Sequence, residues 1–177
     1  MMEGIYQVKN KNGLTLNDVF KLEKISKKKF DLMQTILLVD LGNTQQLLEA
    51  MHRTESTIRV IEQNEEKNII KRKVCILSSN HILAFASSKI YCKKIPLQML
   101  SEIRKCKKGI GKILLYHKLE TFKKITEIGY MENAHIFKKY SLYHGGNVIC
   151  TINEIFPVKT NKETRKHWDN QLPFELF

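Results

Sequence analysis

The stretch HIFKKYSLYHGGNVICTINEIF, His135 to Phe156, constrains the fold more than any other part of the chain. Two runs rich in β-branched and aromatic residues flank a Gly-Gly pair. Glycines take positive φ without steric cost, as a tight hairpin turn requires. The segment therefore predicts two antiparallel strands. The same logic applies upstream, where NIIKRKVCIL and HILAFASSKIYC are parted by Ser-Ser-Asn, whose side chains favour turns. STIRVIEQ alternates Ile58 and Val60 with polar residues, as a half-buried strand does, and ETFKKITEIGYM reads as a further strand beside its neighbours.

Helices are expected elsewhere. SKKKFDLMQTILLVDLGN predicts one, capped by Ser26, with Phe30, Met33, Ile36 and Leu37 at helical spacing and Gly42 as its stop. NTQQLLEAM predicts a second, with Asn43 or Thr44 as N-cap and Leu47, Leu48 and Met51 as its buried stripe. Pro96 opens PLQMLSEIRK, and GIGKILLYHK reads as a loop entering one or two helical turns. The expected order is two helices, three strands, a short helical stretch and three strands. Hairpin-linked strands with helices grouped apart define the α+β class: a single antiparallel β-sheet with helices packed on one side and a ligand pocket between the layers. The expected organisation is one domain over residues 1–157, followed by a polar tail over 158–177.

Composition narrows the chemistry. With 177 residues, 42% of them hydrophobic, the chain has enough apolar material for a folded core. A formal net charge of +12 suits a polyanion or an anionic small molecule, and equally a solvated basic surface. The four cysteines form no C-x-x-C pair and the six histidines no H-E-x-x-H, so no cofactor metal is expected. The opening MMEGIYQVKNKNG has no apolar signal region, and the longest apolar run, Ile36 to Val39, is far too short for a membrane span.

Three constellations remain. KKGIGK, Lys107 to Lys112, is not a phosphate loop, because Ile113 follows Lys112 where a magnesium-binding Ser or Thr belongs. Gly111 instead points to a helix start whose exposed amides favour an anion, with an ordinary loop glycine as the alternative. Around it, Lys105, Lys107, Lys108, Lys112, Lys118, Lys123 and Lys124 mix with Tyr116 and Phe122, as in single-strand nucleic-acid binders. No RNA-recognition or helix-turn-helix pattern accompanies them, so nucleic acid is not the expected partner. Lastly, period-two alternation puts Arg72 on the face of Val74 and Ile76, and Glu154 on that of Ile152 and Phe156. Charges on an inner face pair with each other or meet a ligand, and spacing leaves both readings open.

The order of these pieces resembles the chorismate lyase (chorismate pyruvate-lyase) family, most closely its branch in cyanobacteria and in plastid-encoded reading frames of algae. GNTQQLLEA, KRKVCIL, LAFASSKI, GIGKIL and NEIFP carry the resemblance, from about Leu41 to Pro157. It implies a cofactor-free conversion of chorismate to pyruvate and 4-hydroxybenzoate, a quinone head-group precursor. It also implies a monomer and a plastid location, or a cytoplasmic one if the gene is not plastid-borne. Glu154 and Arg72 are then the catalytic pair. Arg72 holds the ring carboxylate with help from Ile110 and Gly111, Glu154 accepts the ring hydroxyl, and Thr44 lines the pocket. Leu114, Ile70 and Phe85 are the expected apolar wall. The family's second Arg aligns with Ser87, so the cation for the enolpyruvyl carboxylate either comes from Lys112 or Lys89 or is absent. A non-catalytic aromatic-acid-binding module of the same fold is the alternative, with a basic nucleic-acid-binding protein behind it.

Overall fold

Residues 4–79, 81–132 and 135–157 are described here from a computed structural model. Among these residues five α-helices and seven strands follow in this order: β1 (Ile5–Lys9), α1 (Leu16–Ser26), α2 (Leu32–Val39), α3 (Thr44–His52), β2 (Thr57–Glu66), β3 (Ile69–Ser78), β4 (His81–Tyr91), α4 (Leu97–Arg104), α5 (Ile110–Tyr116), β5 (Phe122–Met131), β6 (His135–His144) and β7 (Asn147–Pro157). One sheet holds all seven strands in the order β1-β5-β6-β7-β4-β3-β2, and every pairing is antiparallel. Two three-stranded meanders, β2-β3-β4 and β5-β6-β7, thus lie side by side and meet at β4 and β7. The predicted hairpins are present. The β6–β7 turn has both glycines at positive φ, 53° for Gly145 and 78° for Gly146.

The chain leaves β4 and re-enters the sheet at β5, on the far side of β7 and β6. The connection contains α4 and α5, which therefore cross the face of the sheet. The main core joins Val19, Leu22, Leu38, Leu48, Ile103 and Ile113 from the helices to Ile70, Ile90, Ile128, Ile136 and Phe156 from the strands. A smaller cluster, Cys75, Leu77, Phe85, Met131, Phe137 and Ile155, occupies the opposite face and contains strand residues alone. The helices thus pack on one side, as expected for this α+β class.

Two expectations need correction. Ser26 does not open a helix. It ends α1, and Lys27 closes that helix in the left-handed conformation with φ 54°. The following helix, α2, starts at a reciprocal box: Asp31 Oδ1 accepts from the Gln34 amide at 2.8 Å, and Gln34 Oε1 accepts from the Asp31 amide at 3.1 Å. The second correction concerns β1 and α1, which the helix and strand signals missed. β1 is a short edge strand, partly buried on one side and exposed on the other. In α1, exposed Phe20 and Ile25 blur the stripe made by Val19 and Leu22. The tail over 158–177 lies outside the described residues.

Candidate active site

A cavity of about 320 Å³ lies between the sheet and the starts of α3 and α5. Its floor follows from strand register. Arg72, Ser88, Ile152 and Tyr140 form one row across β3, β4, β7 and β6; two residues along, Val74, Ala86, Glu154 and Lys138 form the next. Arg72 and Glu154 are thus two strands and two residues apart, roughly 12 Å between Cα atoms. Thr44, Gln45, Ile110, Gly111 and Leu114 close the cavity from above.

Arg72 is 2% exposed. Its Nη2 donates to the carbonyl of Lys108 at 2.8 Å, while Nε and Nη1 are buried and have no hydrogen-bond partner among the described residues. Burial pulls its pKa below the ordinary arginine value, yet a guanidinium stays charged at neutral pH. A buried cation with idle donors is unfavourable until an anion meets it. The planar fork suits a carboxylate in two parallel hydrogen bonds. The Arg72–Glu154 ion pair is not among the contacts of the described residues: Arg72 bonds backbone, and Glu154 has its own partners.

Glu154, on the central strand β7, accepts from Thr44 Oγ1 at 2.9 Å and from the Tyr140 hydroxyl at 2.7 Å. The Lys138 ammonium, fully buried, stands 3.6 Å from Glu154 Oε2. Burial, then the negative charge of Glu154, holds the Tyr140 phenol well above its usual pKa, so it remains a donor. Thr44 reaches this carboxylate because Asn43 caps α3, accepting from the amides of Gln45 and Gln46 at 3.0 and 3.3 Å.

Gly111 acts by close approach rather than by an unusual φ. A Cβ there would lie 2.9 Å from Nδ2 of Asn43, so the glycine lets the start of α5 seat against the start of α3. Ile110 and Gly111 line the cavity, and first-turn amides have no acceptor within their own helix.

The expected residues Arg72, Thr44, Ile110, Gly111 and Glu154 therefore meet around one space. Lys112 does not join them. Its ammonium pairs with Glu49 at 3.0 Å, away from the cavity lining. Burial pushes the Glu49 pKa up, but Lys112 and Ser56 outweigh this and leave it below the usual carboxylate range. Lys89 and Ser87 point to the other side of the sheet, because alternation gives Ser88 the cavity face. Phe85 is likewise on the opposite face, in the smaller cluster, while Ile70 is in the main core behind the cavity and Leu114 lines it.

One residue was misread as part of the outer basic field. Lys123 turns inward, 7% exposed, and lines the cavity. Its ammonium donates to the carbonyl of Gly42, lies 3.8 Å from Asp40 Oδ2 and sits 4.5 Å above the Tyr140 ring. Burial first, then the charge of Lys138, lowers its pKa to about 8 against the pull of Glu154 and Asp40. The signal lay in the alternation of Lys123 with Ile125, the rule that located Arg72. Tyr140, also missed, shares its face with Lys138 and Leu142 by the same rule.

A cavity between sheet and helices, with a buried guanidinium at one side and a hydrogen-bonded carboxylate at the other, has the chemistry that suits a small organic acid. The chain belongs to the family described as Chorismate pyruvate-lyase Rv2949c-like, whose profile matches residues 36–164. It is 28% identical over 144 residues to MJ0807 of Methanocaldococcus jannaschii, which carries a provisional lyase name; the match covers 71% of this chain and 78% of that one. Among solved structures, it is similar to that of PhnF from Mycobacterium smegmatis, with a TM-score of 0.49 and 7% identity, over 67% of this chain. The chain spans 65% of that structure's length. Among the described residues no helix is long and apolar enough to cross a membrane.

Proposed function

We propose that this cavity binds chorismate and releases pyruvate from it, leaving 4-hydroxybenzoate. The observation that carries the reading is Arg72, buried at the cavity wall with Nε and Nη1 unpartnered among the described residues. The ring carboxylate accepts along one edge of this guanidinium, where a free donor adjoins Nη2. The ring then spans toward Glu154, whose carboxylate accepts the 4-hydroxyl proton beside the Thr44 and Tyr140 hydroxyls. Apolar Val74, Ala86, Ile152 and Leu114 hold the ring between.

In the reaction, the ether C–O bond breaks with its electron pair going to oxygen. Hydrogen leaves the ring carbon that bears the hydroxyl, and the enolpyruvyl methylene gains a hydrogen to become the methyl of pyruvate. Atoms balance without a co-reactant. Aromatisation of the ring supplies the driving force, so the protein's main task is to hold one reactive conformer in a dry pocket. In this reading Glu154, holding the hydroxyl on that carbon, assists proton movement there.

The use of the product for a quinone head group, the plastid setting and the cyanobacterial and plastid branch belong to the same proposal and rest on the sequence resemblance. So does the reading of residues 1–157 as one domain acting as a monomer. The test is turnover in variants. Arg72→Ala is expected to lose chorismate affinity, and Glu154→Gln to keep binding while losing rate. Full activity in both would overturn the assignment.

A further inference from the structure

Arg72, Lys123 and Glu154 are the charged side chains among the cavity-lining residues. With the ring held between Arg72 and Glu154, as proposed above, the substituent next to the ring hydroxyl lies at the Glu154 end. On one side of that end the wall is apolar, formed by Ile58, Val74 and Ala86. On the other it is Lys123, above the Tyr140 ring whose hydroxyl bonds Glu154. An ammonium has three donors. One of them is on the Gly42 carbonyl, and Asp40 Oδ2, at 3.8 Å, is beyond hydrogen-bonding distance. We infer that Lys123 binds the second carboxylate of the substrate, the one on the enolpyruvyl arm, and so makes the site selective for the dicarboxylate over its monocarboxylate product.

This rests on the chorismate reading and adds a residue to it. Its consequence is asymmetric. 4-Hydroxybenzoate keeps the ring carboxylate and the hydroxyl but has no enolpyruvyl arm, so Lys123 has nothing to hold in it. A cation that grips substrate and ignores product also favours product release. The titratable and charged groups around Lys123 are Asp40 at the end of α2, Lys138 and Tyr140 on β6, and Glu154 on β7. Burial first, then Lys138, lowers the Lys123 pKa to about 8 against the pull of Glu154 and Asp40, and a carboxylate in the cavity would raise it by favouring the charged form.

The test compares two ligands in Lys123→Met and Lys123→Arg, with 4-hydroxybenzoate Kd from calorimetry and chorismate KM from pyruvate release. Lys123→Met is expected to raise chorismate KM about tenfold or more, as loss of a charged hydrogen bond does, and to leave the 4-hydroxybenzoate Kd within about twofold. Lys123→Arg should restore most of the chorismate affinity. Equal losses for both ligands would mean that Lys123 only props the loop at Gly42, and no change in either would mean that it does not touch the substrate; both results overturn the inference. If Lys123→Met does not fold, the wild-type protein still decides: the ratio of chorismate KM to 4-hydroxybenzoate Kd should rise between pH 7 and 9, and a flat ratio contradicts the role. Should 4-hydroxybenzoate binding prove indifferent to Arg72→Met, the parent reading fails, whatever Lys123 does.

Discussion

Replacing Arg72 by alanine removes the fork proposed to meet the ring carboxylate. 4-Hydroxybenzoate affinity should fall by ~1.5–3 kcal/mol, roughly 10- to 100-fold, measured by calorimetry. Lys123 sets a pH limit. In the free protein its pKa is about 8, below the ordinary 10.5, because burial disfavours the charged form. The cation is therefore present below pH 8 and lost as pH rises through it, so kcat/KM for chorismate should fall above about pH 8 in a rate–pH profile. Alternation made Arg72 and Glu154 legible in the sequence, since a charge two residues from core-facing Ile or Val must share their face. Lys123 obeys the same rule beside Ile125. It was hidden by company: Lys124 and exposed Phe122 make the run look like a surface patch. The Thr44–Glu154 bond joins residues 110 positions apart, a distance that local patterns do not span.

Among the elements, the helix starts position the chemistry. Asp31→Ala breaks the box that opens α2 and should lower stability by about 1 kcal/mol, read as a reduced Tm. Gly111→Ala acts differently. Its methyl would press on Asn43, the cap of α3, and shift α5 against α3 at the cavity roof. The expected outcome is weaker chorismate binding with the overall fold retained by circular dichroism; unchanged affinity would show that the close approach is not needed. The hairpins and the helices at Asn43 and Pro96 were readable because turn and cap residues stand in the chain where the geometry needs them. The first two elements were not. An edge strand shows half a pattern, and α1 carries apolar residues on its exposed side.

For the molecule as a whole, two meanders joined edge to edge make one continuous floor beneath the cavity. The α4–α5 connection has to cross that floor, because β5 enters on the far side of β6 and β7. The topology thus roofs the cavity and brings β3, β5 and β7 to its walls, with Arg72, Lys123 and Glu154 one on each. A net charge of +12 would favour the approach of the proposed dianion, an attraction that salt weakens. The family was visible in five short motifs. The dimensions of the cavity were not, because they depend on strand register and on helix contacts between distant segments. The most direct test of the account is to incubate the purified protein with chorismate and follow both products, pyruvate by a coupled lactate dehydrogenase assay and 4-hydroxybenzoate by chromatography. The account predicts that both appear in equal amounts, at a rate proportional to protein and sharply lowered at limiting chorismate by Arg72→Ala; tight 4-hydroxybenzoate binding with no pyruvate released would contradict it.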